Sequence, residues 1–405
     1  MADITCDKTT TPRTGASHTE RRLLHVKLTT CIPSPYQTEL FDSLADRDDV
    51  ELRVLYWRDT TKHVFELKTE TVHDSRVLSG LMVPLPVIGR EKLSLGIVQE
   101  ILSRDYDIFV VSGFGPTAML AMLVLTALRK PWVFWGERPH PCKHGSWKER
   151  LRKVFWRVAS RSARGVIGIG RLAVEQYERL GVPPTRLENV PYSPNVDLLL
   201  NPPKEYCDAA AHLRDALGAD RDVLFLYCGQ LTKRKAVDVL VKAFLECHAK
   251  CPASRLVILG GGPEEDNLRR AIPEELESRV TFAGVVQRPR LYHYYLAADV
   301  FAFPSRYDGW DVVINEAMAA GLPVITTDQV GAAADMVTEG QDGFLVPVDD
   351  SSAFAERMKR LADSRILVRD MGNAARNRAN DFTASVGAMR MRNALETLLG
   401  PQGGR

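Results

Sequence analysis

The sequence contains no Cys-x-x-Cys pair. Its seven cysteines (Cys6, Cys31, Cys142, Cys207, Cys228, Cys247 and Cys251) form no cluster with histidine at zinc-like spacing. A disulfide scaffold and a zinc module are thereby excluded, and the chain reads as reduced and free of structural metal. An excess of one charge is also missing. The 53 Lys and Arg residues face 51 Asp and Glu, a formal net charge of +2, so bulk charge names no partner and no nucleic acid is expected. Long apolar runs are absent too: the richest, Thr117 to Leu128, falls short of the ~20 residues that span a bilayer and predicts a buried helix. The polar residues 1–22 lack the apolar stretch of a secretory signal. They read as a disordered tail, and the chain as cytoplasmic.

At 405 residues with 45% hydrophobic content, the chain is too long for one ordinary core and suits two lobes of nearly 200 residues. Short β-branched or aromatic runs alternate with longer helical stretches, the pattern of parallel sheets with crossover helices. The first series of strands is Leu23 to Thr30, Val50 to Trp57, Ile108 to Ser112, Pro131 to Trp135 and Gly165 to Ile169. The second is Val223 to Cys228, Arg255 to Leu259, Arg279 to Phe282, Val300 to Phe303 and Pro323 to Thr326. The expected fold is α/β, two facing Rossmann-like doubly wound domains. Residues 23–205 make the first, 206–382 the second, and 383–405 a helix packing across both. Ligands of such sheets bind beyond the carboxyl ends of the strands, so two facing lobes create a cleft with two rims.

The stretch from Phe303 to Asp328 is the most informative. A strand ends before Pro304-Ser305, a loop containing Gly309 follows, and a helix is predicted from about Asp311 to Ala320. Its amino end would offer free N–H groups and a favourable dipole to a diphosphate. Asp308 and Glu316 lie eight positions apart, and a carboxylate with two acceptor oxygens suits the adjacent hydroxyls of a ribose or hexose. A second stretch, Leu226-Tyr227-Cys228-Gly229-Gln230-Leu231-Thr232-Lys233-Arg234-Lys235, leaves a strand and enters a helix.

These stretches resemble retaining GT-B glycosyltransferases of the family 4 type (glycosyl transferases group 1). The first is similar to that family's E-x7-E element with its E-A-x-A-x-G-x-P-V continuation, here Glu316-Ala317-Met318-Ala319-Ala320-Gly321-Leu322-Pro323-Val324. Asp308 stands for the first Glu, and Trp310-Asp311 for the usual Phe-Gly. The second resembles the G-R-L-x-x-x-K-G loop, with Lys235 in the Lys position, Gln230 in the Arg position and Ala236 in that of the closing Gly. The turn Gly260-Gly261-Gly262 and the segment Val280 to Val285 extend the resemblance over the second lobe. By resemblance, Asp308 contacts the donor sugar, Glu316 the ribose and Lys235 the diphosphate. Gly229, Gln230, Arg234, Val285, Gly309, Trp310, Asp311 and Val312 complete the donor site.

The first lobe is less typical. The loop Cys31 to Gln37 lacks the paired glycines of many relatives. In Trp135-Gly136-Glu137-Arg138-Pro139-His140, Glu137 and His140 are catalytic candidates, because relatives often place a His there beside the donor sugar. Lys143 to Arg164 sets eight basic residues against Glu149, with Leu151, Val154, Phe155 and Val158 at helical spacing. Such a helix suits an anionic inner-membrane surface, or else is a solvated basic face over a buried apolar one.

Gly168-Ile169-Gly170-Arg171-Leu172-Ala173 satisfies a dinucleotide-binding pattern, but its strand comes late in the lobe and no acid ends the next one. Asp105-Tyr106-Asp107 and Asp220-Arg221-Asp222 have the spacing of a cation-holding motif but precede strands instead of following them. The implied function is metal-independent, cofactor-free transfer of a sugar from a UDP- or GDP-linked donor, with retention. The acceptor would be a glycan, a lipid-linked sugar or a small metabolite. The alternatives are a non-catalytic nucleotide-sugar-binding protein and a GT-B epimerase.

Overall fold

The computed structural model describes residues 22–57, 71–85, 89–103, 105–139 and 147–400. The strands of the first lobe are β1 (Leu24–Thr30), β2 (Val50–Tyr56), β3 (Asp74–Val77), β4 (Leu81–Leu85), β5 (Gly89–Leu93), β6 (Ile108–Ser112), β7 (Trp132–Gly136), β8 (Gly165–Gly168) and β9 (Leu187–Asn189). Seven of them form a parallel sheet in the order β3-β2-β1-β6-β7-β8-β9, and β4 and β5 make a separate antiparallel hairpin. The second lobe contains β10 (Val223–Cys228), β11 (Ser254–Leu259), β12 (Val280–Gly284), β13 (Val300–Phe303), β14 (Val324–Thr327) and β15 (Gly343–Val346). These form a parallel sheet in the order β12-β11-β10-β13-β14-β15.

The central strands are mostly apolar because helices cover both faces, and β6, β7, β13 and β14 are buried at every position. Strand β3 escapes this signature. All four residues of Asp74-Ser75-Arg76-Val77 are exposed, so the strand carries no hydrophobic pattern, and its Asp74 meets Arg53 of β2 at 2.6 Å.

Each sheet reverses its winding once, at β1/β6 in the first lobe and β10/β13 in the second. Loops leaving neighbouring strands diverge there and open a crevice, where doubly wound folds bind ligands. The two crevices face each other across the lobe junction.

The C-terminal helix Ala384–Leu399 returns to the first lobe and packs on the helix Pro35–Ala45. Gly387 permits that approach, since a Cβ there would lie 2.5 Å from Ser193 Cβ and 2.9 Å from Leu40 Cδ1. Arg392 of the same helix is buried and pairs with Asp49 at 3.0 Å.

Two expectations need correction. The run Thr117 to Leu128 does form a helix, Pro116–Ala127, but it is buried along one side only: Met119 and Leu123 are 52% and 68% exposed. The helix expected over Asp311 to Ala320 is Val313–Ala319, because Asp311 takes a left-handed backbone with φ of 80° that no right-handed helix includes.

Candidate active site

The loops at the β10/β13 switch point bring the two halves of the sequence pattern together. Lys235 follows β10 and is 6% exposed. Its ammonium lies 3.1 Å from Asp308 Oδ1, pairs with Asp311 Oδ2, and sits 4.8 Å from the centre of the Phe303 ring. Asp308 also receives hydrogen bonds from Arg234 and from the Ser305 hydroxyl. Arg234 donates to the Tyr307 carbonyl at 2.8 Å as well. Three residues from the loop after β13 and two from the loop after β10 thus share one network, buried at Lys235 and Asp308 and open to solvent at Arg234.

Two positions where the chain departs from the pattern that it resembles share one backbone conformation. Ala236 and Asp311 stand where relatives carry glycine, and both have left-handed backbone, φ 55° and 80°. The loop shapes are those a glycine would take, retained at a cost of roughly 1–2 kcal/mol per non-glycine residue. At position 311 the side chain is directed onto the Lys235 ammonium.

Glu316, on the helix Val313–Ala319, is buried. Tyr295 donates its hydroxyl to Oε2 at 2.9 Å, and Arg288 pairs with Oε1. Arg288 also reaches Glu39 Oε1 of the first lobe at 2.6 Å, so the expected ribose carboxylate is tied to the opposite wall of the cleft. Neither Arg288 nor Glu39 stands out in the sequence. Both belong to unremarkable charged stretches, and only the approach of the lobes gives them a role.

Glu137 leaves β7 and lies against Gly309, where any side chain would run into its carboxylate. Glu137 as a whole stays exposed toward the cleft, and only its carboxylate end is held against the second lobe. Burial, followed by repulsion from Asp311 and Asp308, pushes its carboxyl up. Asp311 is pushed up by burial, which outweighs the pull of Lys235, with Asp308 adding to the rise. The Tyr36 hydroxyl is pushed up to about 12, mainly by burial and then by Glu137.

Glu137 also helps to line a cavity of about 360 Å³ beyond β1, β6 and β7, together with Thr30, Ser34, Gln37, Ser112 and Tyr192. Arg138, at its rim, donates to Gln329 Oε1 of the second lobe at 3.0 Å. The other amino group of its guanidinium, Nη1, is buried without a hydrogen-bond partner.

The remaining expected donor residues divide. Gly229 and Gln230 lie on the loop after β10, with the Gln230 side chain exposed, and Val285 is exposed just past β12. Val312 caps the helix Val313–Ala319. The Trp310 ring does not face the cleft: it is buried at the lobe junction, where its Nε1 donates to Asn315 at 3.0 Å. A Cβ on Gly170 would lie 2.7 Å from this ring, so the second glycine of the dinucleotide pattern serves lobe contact, while a Cβ on the first, Gly168, would run into Val174 of its own lobe. His140 lies outside the described residues.

Two parallel doubly wound lobes with switch points facing across a cleft, closed by a returning C-terminal helix, define the GT-B class. Solved structures share it. HepE of Anabaena in complex with UDP and glucose aligns with a TM-score of 0.70 at 20% identity, over 92% of this chain and 99% of that one. Sucrose-phosphate synthase of Thermosynechococcus elongatus aligns at 0.69 and 23% identity, over 91% and 98%.

Family comparison is consistent with this class. The model for the glycosyl transferase 4-like domain matches residues 33–193, and that for glycosyl transferases group 1 matches residues 222–364. The chain belongs to the group 1, family 4 glycosyltransferases. It is 30% identical to the D-inositol 3-phosphate glycosyltransferase of Nocardia farcinica, over 64% of this chain and 56% of that relative. It is 27% identical to the GDP-mannose-dependent alpha-(1-6)-phosphatidylinositol monomannoside mannosyltransferase of Mycolicibacterium smegmatis, over 74% and 78%. The chain thus spans a little over half the length of the inositol phosphate relative.

Proposed function

We propose that the protein transfers a sugar from a nucleotide-diphosphate donor, held at the β10/β13 switch point, to an acceptor hydroxyl in the first-lobe cavity. The observation that carries this reading is the placement of Lys235, Asp308 and Glu316 on one rim of the cleft, with Glu137 and the cavity on the other. Lys235 and Arg234 are the cations within reach of a diphosphate, and Asp308 and Glu316 supply acceptors for sugar and ribose hydroxyls.

In this mechanism the acceptor attacks the face from which the nucleoside diphosphate departs, and a diphosphate oxygen takes its proton, so the anomeric configuration is retained. The protein contributes positioning and charge stabilisation, with no metal required. The names of these two relatives mention D-inositol 3-phosphate and phosphatidylinositol monomannoside. A cyclic polyol or sugar fits a cavity of this size lined by hydroxyl groups and aromatic rings.

Contact with an anionic membrane surface belongs to the same proposal. On the helix Trp147–Ser162, Leu151, Val154 and Val158 are 57–59% exposed beside exposed Arg150, Arg157 and Arg161, while Trp156 is buried. The apolar residues expected to be the buried face therefore point outward in part. Phe114, whose ring lies 6.2 Å from that of Phe155 on this helix, also lines the cavity, so a lipid-linked acceptor could enter from the surface. No helix among the described residues is long and apolar enough to cross a membrane.

Thermal-shift screening with UDP, GDP and their sugar conjugates tests the donor reading, since ligand at 100 times its dissociation constant adds about 2.7 kcal/mol of apparent stability. No shift with any of them would overturn it. NMR of the first-formed product tests retention, and an inverted centre would refute the mechanism.

A further inference from the structure

We propose that the Asp311 carboxylate is a built-in competitor for the donor's diphosphate. It holds the Lys235 ammonium in the donor's place and selects against the released nucleoside diphosphate relative to the nucleotide sugar. This rests on the donor reading above and goes beyond it, since the family resemblance counts Asp311 only as one more donor contact.

The argument is one of charge and shape. The charged groups around Asp311 are Lys235 and Arg234 from the loop after β10, Asp308 from its own loop, and Glu137 from the loop after β7. Fully ionised, with Asp311 counted, the group holds three negative charges and two positive. Such a balance does not attract a polyanion. With a neutral residue at position 311 the charges cancel, and Lys235 has only Asp308 to share it. The position is also specific in shape. A left-handed backbone here is the conformation of a glycine loop, and it directs a side chain at this residue onto the ammonium of the proposed diphosphate cation.

The consequence follows from what the two nucleotides carry. A nucleotide sugar has two negative charges on its diphosphate. Once the sugar has left, the terminal phosphate regains a second ionisation with a pKa near 6, so the product carries about one charge more, at the end nearest the sugar site. A fixed carboxylate beside that end repels the product more than the substrate. The cost to donor affinity is offset by faster clearance of a product that would otherwise occupy the cleft, which matters where product release limits turnover.

The test is calorimetric titration of UDP, GDP, UDP-glucose and GDP-mannose into the full-length protein, its Asp311→Asn variant and its Asp311→Gly variant. Asn keeps the size and tolerates the left-handed backbone. Gly removes the side chain and relieves the backbone, so at least one variant is expected to fold. In both, the nucleoside diphosphate that binds the wild type should tighten about tenfold or more, and its sugar conjugate by a smaller factor. Equal tightening of both, no change, or weaker binding would overturn the proposal, and weaker binding would make Asp311 a donor ligand. Failure of every nucleotide to bind any of the three proteins would instead overturn the donor reading, and this inference with it.

Discussion

Lys235 and Asp308 meet at 3.1 Å beneath the cleft. They are separated in sequence by three of the six strands of the second sheet, and Asp311 pairs with the same ammonium. Lys235 is therefore both the candidate cation for the leaving diphosphate and the counter-ion of two buried acids. Lys235→Ala should lower turnover about a hundred- to thousandfold, the effect of losing a preorganised oxyanion donor. Leaving two carboxylates without it should also destabilise the fold by roughly 3–5 kcal/mol. Combining Lys235→Ala with Asp311→Asn should recover part of that stability and none of the turnover. Gln230→Ala, on an exposed side chain, should cost much less activity. Near-normal turnover of Lys235→Ala alongside loss in Arg234→Ala would move the cation to Arg234.

Glu316→Ala should weaken nucleotide binding about tenfold or more, because charge-assisted hydrogen bonds contribute roughly 1.5–3 kcal/mol each. It should also take from the Tyr295 hydroxyl its carboxylate acceptor and leave one side of the Arg288 guanidinium unpartnered, so a modest loss in melting temperature is expected as well. Titration with the free nucleotide separates the two effects. Unchanged affinity would remove Glu316 from the site.

Glu137 makes a prediction about pH. Its carboxyl is held above the ordinary glutamate range, chiefly by desolvation of its inner end, so the folded state binds its proton more tightly than the unfolded state does, by a small margin because the residue as a whole is exposed. That contribution is fully present below the unfolded pKa and is lost as pH rises through the raised folded value. Glu137→Gln should thus melt higher than wild type at neutral pH, and the gap should close as pH falls toward 4. A melting-temperature series from pH 4 to pH 8 checks this, and a constant difference across the series would refute it.

Activity should survive EDTA, because Asp308 and Asp311 are both directed at the Lys235 ammonium instead of outward toward an ion. Loss of turnover on chelation, restored only by a divalent cation, would contradict the metal-free mechanism.

Replacing Leu151, Val154 and Val158 together by Ser should abolish co-sedimentation with vesicles rich in anionic lipid. Binding of the wild type should itself weaken with salt, since the basic residues contribute by charge. Because all three side chains are exposed, the melting temperature should hardly change. Equal sedimentation of variant and wild type would rule the surface out.

The sequence by itself determined the two-sheet architecture, because strands buried on both faces are mostly apolar and so are visible as runs. It also singled out Lys235, Asp308 and Glu316 as candidates, because they lie in ordered local motifs at or beyond the strand-to-helix loops. Strand β3 stayed hidden because every residue in it is exposed and its pairing depends on a neighbour and not on burial. The direction of Trp310, the bridge from Glu39 through Arg288 to Glu316, and the crowding of Glu137 against Gly309 were decided only by the tertiary structure. Each depends on a residue of one lobe meeting a residue of the other, and no local spacing encodes how two separately folded sheets face. The same holds for Asp311. Its sequence shows an acid where relatives carry glycine, but only the left-handed backbone and the position of the Lys235 ammonium convert that difference into a charge placed within the site.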